Sequence, residues 1–230
     1  MSEGHLLLVD DEAQLVRALT PALTAAGYEV TTAGTGAEAL TQLAREPSDI
    51  VLLDLGLPDM DGKEVISRIR EWSETPILVL SARDLEEEKI AALDLGADDF
   101  VNKPFGVGEL LARIRAAQRG RERRLMGSAS FKAGDLEVNF ASRRTYIQGE
   151  EVRLTPREYD LVRTLARNPG RVITHKQIIA SVWGATATVD AQFVRVLVAQ
   201  VRQKLEEDPS GPKIILTEPG VGYRLATDVD

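Results

Sequence analysis

Four short apolar runs in the first half of the chain each end on a charged or hydroxylic side chain, and this pattern limits the fold more than any other feature. Leu6-Leu7-Leu8-Val9 runs into Asp10-Asp11-Glu12, Ile50-Val51-Leu52-Leu53 into Asp54, Ile77-Leu78-Val79-Leu80 into Ser81, and Phe100-Val101-Asn102 into Lys103-Pro104. Runs without polar alternation, separated by helix-length amphipathic segments, read as parallel strands covered on both faces. Open parallel sheets bind ligands beyond the carboxyl ends of their strands. The four ends should therefore meet at one site.

The strands are expected at 6–9, 28–33, 50–53, 77–80 and 99–102. Helices are expected at 13–26 (broken by Pro21), 36–45, 62–72, 86–95 and 107–119. Gly27 and Gly96 follow the first and fourth helices, where a left-handed cap is needed. Such alternation predicts an α/β, flavodoxin-like doubly wound (βα)5 unit over residues 1–120 with strand order 2-1-3-4-5. The chain has no cysteine, so disulfides and thiolate metal sites are excluded. No apolar stretch is long enough for a membrane span, and Met1-Ser2-Glu3-Gly4 has no basic leader region, so a cytoplasmic protein is the simplest reading.

Residues 121–130, charged and then small, read as a linker. Residues 131–230 change character. Turn signals at Lys132-Ala133-Gly134-Asp135 and Gln148-Gly149-Glu150 predict a small antiparallel sheet. Thr155-Pro156-Arg157-Glu158 and Thr174-His175-Lys176-Gln177 are capping boxes that open two helices. A third helix is expected from Val189 to Glu207, with an apolar stripe of Val189, Phe193, Leu197, Val201 and Leu205. A hairpin from Lys213 to Leu225 completes an α+β winged helix-turn-helix. Charge follows the division: residues 1–120 hold 11 Lys/Arg against 22 Asp/Glu, and residues 121–230 hold 17 against 14. The acidic half suits a cation and the mildly basic half suits nucleic acid.

The chemistry follows from the strand ends. Two carboxylates about 4 Å apart repel by about 4 kcal/mol at an effective dielectric near 20, so the group Asp10, Asp11 and Asp54 calls for a cation. Mg²⁺ prefers such hard oxygen ligands together with phosphate. Asp54, at the tip of the central strand, is the expected nucleophile toward a phosphoryl group, with Lys103 neutralising the phosphoryl oxygens and Ser81 donating its hydroxyl. On the third helix of the second domain, Gln192, Arg195, Ala199, Arg202 and Gln203, with Gln200 on the flank, form the expected DNA-reading face, joined by Thr217 and Arg224 of the hairpin. His5 and His175 read as ordinary surface or packing residues, and Trp72 and Trp183 as core anchors.

Residues 1–120 resemble a response-regulator receiver domain through Leu8-Val9-Asp10-Asp11-Glu12, Leu53-Asp54-Leu55-Gly56-Leu57-Pro58-Asp59-Met60-Asp61-Gly62, Leu80-Ser81-Ala82-Arg83 and Gly96-Ala97-Asp98-Asp99-Phe100-Val101-Asn102-Lys103-Pro104-Phe105. With the second domain, nearly the whole chain resembles the winged-helix response regulators of the OmpR/PhoB type. Arg70-Glu71-Trp72-Ser73, Gly106-Val107-Gly108-Glu109-Leu110 and Thr217-Glu218-Pro219-Gly220-Val221-Gly222-Tyr223-Arg224 look most like the Kdp potassium-transport regulators.

The resemblance implies phosphate transfer from a sensor histidine kinase to Asp54. It implies metal ligation by Asp11, Asp54 and the Gly56 carbonyl, with Asp10 holding a metal-bound water. It also implies a switch in which Ser81 and Phe100 move together. Members dimerise through the fourth helix, fifth strand and fifth helix. Here that surface would pair Lys89 with Glu109, Asp99 with Arg113 and Asp98 with Arg115, around Ile90, Leu93 and Ala112. Promoter DNA and RNA polymerase are the further partners implied. Two rival readings are a phosphate-independent winged-helix regulator that uses the receiver as a dimerisation platform, and a Mg²⁺-dependent aspartyl phosphatase. Such phosphatases place a second acid two residues after the nucleophile, whereas Gly56 stands there.

Overall fold

The computed structural model describes residues 3–82, 86–125 and 129–227, and the chain divides into two compact units, Met1–Arg121 and Glu122–Asp230. The first comprises β1 (Gly4–Val9), α1 (Ala13–Ala25), β2 (Tyr28–Ala33), α2 (Gly36–Arg45), β3 (Ile50–Asp54), α3 (Gly62–Arg70), β4 (Ile77–Ala82), α4 (Glu86–Asp94), β5 (Asp99–Lys103) and α5 (Val107–Leu125). All five strands are parallel, in the order β2-β1-β3-β4-β5.

Leu6, Leu8, Ile50, Leu52, Leu78 and Leu80 share one cluster with Leu19 and Leu23 of α1 and Leu110 and Ile114 of α5. The alternate residues Leu7, Val51, Leu53 and Val79 are equally buried, as the two-residue period of a strand requires when both faces are covered. Each fully buried leucine or isoleucine is worth roughly 1.5–3 kcal/mol, so this double burial dominates the stability of the unit. The register pairs Val9 with Leu53, Asp54 with Leu80, and Ser81 with Asn102, which brings the polar strand ends to one edge of the sheet.

Three expectations need correction. First, α1 runs unbroken through Pro21. Proline removes one backbone hydrogen bond, and burial of Leu19 and Leu23 on either side offsets that loss. Second, α5 continues to Leu125, beyond the expected 119 and into the stretch read as linker. Arg and Glu around Gly120 are good helix formers, and one internal glycine costs only about 1 kcal/mol. Residues 126–128 of the expected linker, like Arg83 of the third quoted motif, lie outside the described residues. Third, Trp72 is 50% exposed and anchors no core. α3 ends at Arg70, so the buried stripe Val65, Ile66 and Ile69 does not extend to it.

The second unit begins with the antiparallel sheet β6 (Ser130–Ala133), β7 (Leu136–Asn139), β8 (Arg144–Ile147) and β9 (Glu150–Val152). Helices α6 (Pro156–Ala166), α7 (His175–Trp183) and α8 (Ala191–Leu205) follow, with β10 (Ile173–Thr174), β11 (Ile215–Glu218) and β12 (Gly222–Leu225) in a second antiparallel sheet. Both capping boxes are closed. The Thr155 amide donates to Glu158 Oε2 at 2.7 Å, and the Thr174 amide to Gln177 Oε1 at 3.0 Å. Leu161, Val162 and Leu165 of α6, Ile178 of α7, and Val194, Val198 and Val201 of α8 meet Ile215 and Leu225 in one core, with Trp183 packed against it.

The expected stripe of α8 is out of phase at its first turn. The helix starts at Ala191, capped by the Asp190 carboxylate, which accepts from the Gln192 amide at 2.7 Å. Its buried face is Val194, Leu197, Val198, Val201 and Leu205, while Phe193 is 62% exposed and Val196 51%. The two-residue strand β10 was not expected, being too short for a periodic signal. A β-carbon on Gly222 would lie 2.0 Å from the Ile173 carbonyl oxygen of β10. Gly222→Ala should therefore destabilise the second unit by about 2 kcal/mol through overpacking, read as a lowered urea midpoint.

Candidate functional site

The strand ends carry the side chains that the first-unit chemistry needs. Asp54 is the last residue of β3, Lys103 the last of β5, and Asp10 follows β1. Lys103 Nζ lies 2.7 Å from Asp54 Oδ1, 2.9 Å from Asp10 Oδ2 and 3.2 Å from Glu12 Oε1. Asp54 Oδ2 accepts the Gly56 amide at 2.6 Å, and Asp10 Oδ1 accepts the Glu12 amide at 2.9 Å. The Asp10 side chain is fully buried, whereas Lys103 keeps 21% of its side-chain surface and Asp54 15%. The site is thus a half-closed cup in which one ammonium serves three carboxylates.

The electrostatics follow from this burial. Burial pushes the Asp10 carboxyl above the usual aspartate value, against the lowering effect of the Lys103 hydrogen bond. Burial also works against the charge of Lys103, but the carboxylates of Asp54 and Asp10 outweigh it and hold the ammonium above the ordinary lysine value. A buried carboxylate that is under-neutralised by a single lysine is suited to further positive charge.

The expected three-carboxylate cluster is only partly gathered. Asp11 is exposed, and among the described residues no three His, Cys, Asp or Glu side chains form a metal-binding group. The Lys103 ammonium holds the place between Asp10 and Asp54. The donor set still fits Mg²⁺, which needs only one or two carboxylates because it keeps waters and takes phosphate oxygens. A β-carbon on Gly56 would meet nothing but Asp54 Oδ2, so the mouth beside Asp54 is open.

Ser81 is buried and follows Leu80, the register partner of Asp54. Phe100 is buried too, with Lys89 Nζ 5.4 Å from its ring centroid. Four of the charged residues of the expected dimer surface are paired within the chain. Asp99 pairs with Arg113 at 2.9 Å, and Arg113 with Glu109 at 3.2 Å. Asp98 pairs with Arg70 of α3 at 3.0 Å. The left-handed Gly96 turns the chain into β5 beside the end of α3, where Arg70 Nε reaches the Gly96 carbonyl at 3.0 Å. Lys89 and Leu93 are buried, Ile90 is half-buried, and Glu109, Ala112 and Arg115 are exposed.

Glu12, Asp59 and Arg70 are polar anchors that the sequence did not single out. Asp59 accepts the amides of Gly36 at 2.8 Å and Ala37 at 3.0 Å, which hold its carboxyl below the usual range. It thereby fastens the loop after Asp54 to the start of α2. An acid five residues past a strand tip is a weak signal, and nothing local marks Arg70.

In the second unit, Gln192, Arg195, Ala199, Gln200 and Gln203 are exposed on α8. Arg202 is bound to the hairpin instead, donating from Nε to the Ile215 carbonyl at 3.1 Å and from Nη2 to Thr217 Oγ1 at 2.8 Å. Arg224 is buried and paired with Glu218 across the same hairpin. His5 pairs with Glu29 at 2.9 Å, and His175 lies edge-on to Tyr223.

Comparison with known proteins gives concordant results. A response regulator receiver domain model matches residues 6–115, and a model of the transcriptional regulatory protein C-terminal region matches residues 149–225. The transcriptional regulatory protein KdpE of Mycobacterium tuberculosis is 46% identical, over 96% of this chain and 98% of that protein. The KDP operon transcriptional regulatory protein KdpE of Escherichia coli is 44% identical over the same shares. The crystal structure of response regulator DrrB, a Thermotoga maritima OmpR/PhoB homologue, is 30% identical with a TM-score of 0.50, covering 98% of this chain and 100% of that one.

Proposed function

Because the chain belongs to the two-component response regulators that join a receiver to a winged-helix DNA-binding domain, and is a transcriptional regulator rather than a turnover enzyme, we propose that phosphorylation of Asp54 switches its binding to promoter DNA. The observation that carries this reading is the Asp54 carboxylate at the tip of the central strand, 2.7 Å from Lys103 and open to solvent on one side.

In the proposed step, an Asp54 carboxylate oxygen attacks phosphorus on the phosphohistidine of a sensor kinase. The new O–P bond forms as the N–P bond breaks, and the imidazole nitrogen keeps the electron pair and takes up a proton. Lys103 holds the nucleophile in place and offers its ammonium to the phosphoryl oxygens, while the Gly56 amide orients the second carboxylate oxygen. Ser81, one strand over, donates its hydroxyl to the acyl phosphate. Asp11, Asp54 and the Gly56 carbonyl would hold Mg²⁺, with Asp10 on a metal-bound water, and the ion would supply charge neutralisation when bound.

The readout is a shift toward a dimer-competent state, because the phosphoryl group competes for Lys103 and Ser81. Ser81 and Phe100 form the switch. The dimer face comprises Ile90, Glu109, Ala112, Arg113 and Arg115, with the buried Lys89, Leu93, Asp98 and Asp99 supporting it from within. Re-pairing such charges across two chains fixes register more than affinity. The dimer then presents two winged helices to a promoter in the cytoplasm and contacts RNA polymerase. The resemblance to KdpE makes a Kdp potassium-uptake operon the proposed target.

The test compares the full-length protein and Asp54→Asn by sedimentation and by DNA binding, each with and without beryllium fluoride and Mg²⁺. The wild type should dimerise and bind at least about tenfold more tightly when treated, in keeping with a coupling of 1–3 kcal/mol, and the variant should not respond. Equal behaviour of treated and untreated wild type would favour the phosphate-independent platform.

A further inference from the structure

Five large apolar side chains are exposed among the described residues, and two of them, Phe193 and Val196, sit on one turn of α8. At 100° per residue, the buried residues Val194, Leu197, Val198, Val201 and Leu205 lie on one side of this helix. Val196 lies within about 25° of the direction opposite their mean, with Gln203, Gln192 and Ala199 successively further round on one side of it. Gln200 and Phe193 lie on its other side, and Arg195 lies beyond Ala199 at the far edge. The outward face therefore carries amides at its centre with Val196 beside them, Phe193 toward one edge and a guanidinium toward the other.

Exposing a phenylalanine and a valine on a 15-residue helix has no benefit for the isolated fold. The occupant of this face must offer apolar groups beside hydrogen-bond donors and acceptors, and tolerate or attract an arginine. The major groove of DNA meets each requirement. Its only methyl group is the C5-methyl of thymine, glutamine matches the N6/N7 edge of adenine, and arginine matches guanine or phosphate. Resting on the reading of α8 as the DNA-contacting helix, we infer that Phe193 and Val196 are specificity-determining residues that select thymine through its C5-methyl group. The half-site then carries thymines opposite the first two turns of α8. Discrimination at those positions comes from apolar contact, with the glutamines reading adjacent A·T pairs. Arg202 takes no part in base reading, because its guanidinium is bound to Ile215 and Thr217.

The experiment starts by selecting duplexes from a random library with the full-length protein in beryllium fluoride and Mg²⁺. The enriched site is then resynthesised with deoxyuridine in place of single thymines, which removes only the methyl group. Binding should weaken about fourfold for each contacted thymine, the effect of exposing one methyl-sized apolar group. Phe193→Ala and Val196→Ala should weaken binding to the thymine site and lose their sensitivity to uracil, while Val196→Thr, which keeps one γ-methyl, should retain part of it. Both residues are exposed, so these variants should keep their thermal midpoints. An enriched site whose affinity is unchanged by every uracil replacement overturns the inference and leaves DNA binding standing. Failure to enrich any duplex overturns the DNA-binding reading itself. Loss of self-association in the alanine variants with unchanged affinity per protomer would mark the face as a protein contact, which also overturns the inference.

Discussion

The Asp54→Asn variant should take up no phosphoryl group from acetyl phosphate or from a partner kinase, a loss of about 10³-fold or more, equivalent to at least about 4 kcal/mol in the barrier. The chemical reason is direct. A neutral amide lacks the nucleophilic carboxylate lone pair, and the acyl phosphate cannot form. The geometry makes the comparison clean. The amide oxygen of the variant still accepts from the Gly56 amide, and Lys103 keeps Asp10 and Glu12 as partners. Unfolding curves should therefore change little while phosphorylation disappears. Intact-mass measurement before and after brief alkali treatment reads the labile adduct. An adduct of unchanged stoichiometry on the variant, or one mapped to the exposed Asp11, would remove Asp54 from its proposed role.

The first unit was legible because burial on both faces forces an unusual composition. Ile50 to Leu53 have no polar residue among them, and only a central parallel strand tolerates that. The polar residues that end such runs must then stand at one edge of the sheet, so the sequence alone brings Asp54 and Lys103 together. The contact of Lys103 with Glu12 was not legible, since it depends on how far a flexible ammonium reaches among three acceptors. The pairing of Arg70 with Asp98 was hidden for another reason. It joins residues 28 apart through a turn whose direction is set by the left-handed conformation of Gly96.

In the second unit, the capping boxes located the starts of α6 and α7, because their chemistry is local. The phase of α8 was harder. Val189, Phe193, Leu197, Val201 and Leu205 form an unbroken i, i+4 line, which slips by 40° at each step on a helix of 100° per residue. Over four steps the line winds away from any single face, and the true core stripe alternates steps of three and four. Val194 and Val198 lay one residue from the chosen line. Taking them instead turns Phe193 outward, and with it the character of the exposed face of α8.

Lys103→Met should both slow phosphoryl uptake and destabilise the receiver, with a pH signature that separates the two effects. Removing a preorganised cation from beside a developing phosphoryl charge costs about 10²-fold in rate. In the resting protein, the variant leaves the buried Asp10 carboxylate without its ammonium. Stranding one member of a buried pair costs about 3 kcal/mol, the low end of the usual range, because the cup is open to water on one side. The Asp10 carboxyl is already raised by burial, and losing Lys103 raises it further. A carboxyl whose folded pKa lies above its unfolded value binds more protons when folded. Its destabilising effect is therefore absent below the unfolded pKa, near 3.9, and grows until pH passes the folded value. The gap in unfolding free energy between wild type and variant should thus be smallest near pH 4, widen toward neutrality, and then level off. Lys103 itself, with its folded pKa above the unfolded value, contributes evenly up to about pH 10 and loses its effect only beyond that. Urea unfolding in chelator across this range gives the curve. Adding Mg²⁺ at neutral pH should recover part of the variant's lost stability, since a divalent ion replaces the missing positive charge. A gap that is constant from pH 4 to 8 and indifferent to Mg²⁺ would mean that the methionine disturbs packing, and that Asp10 does not depend on Lys103.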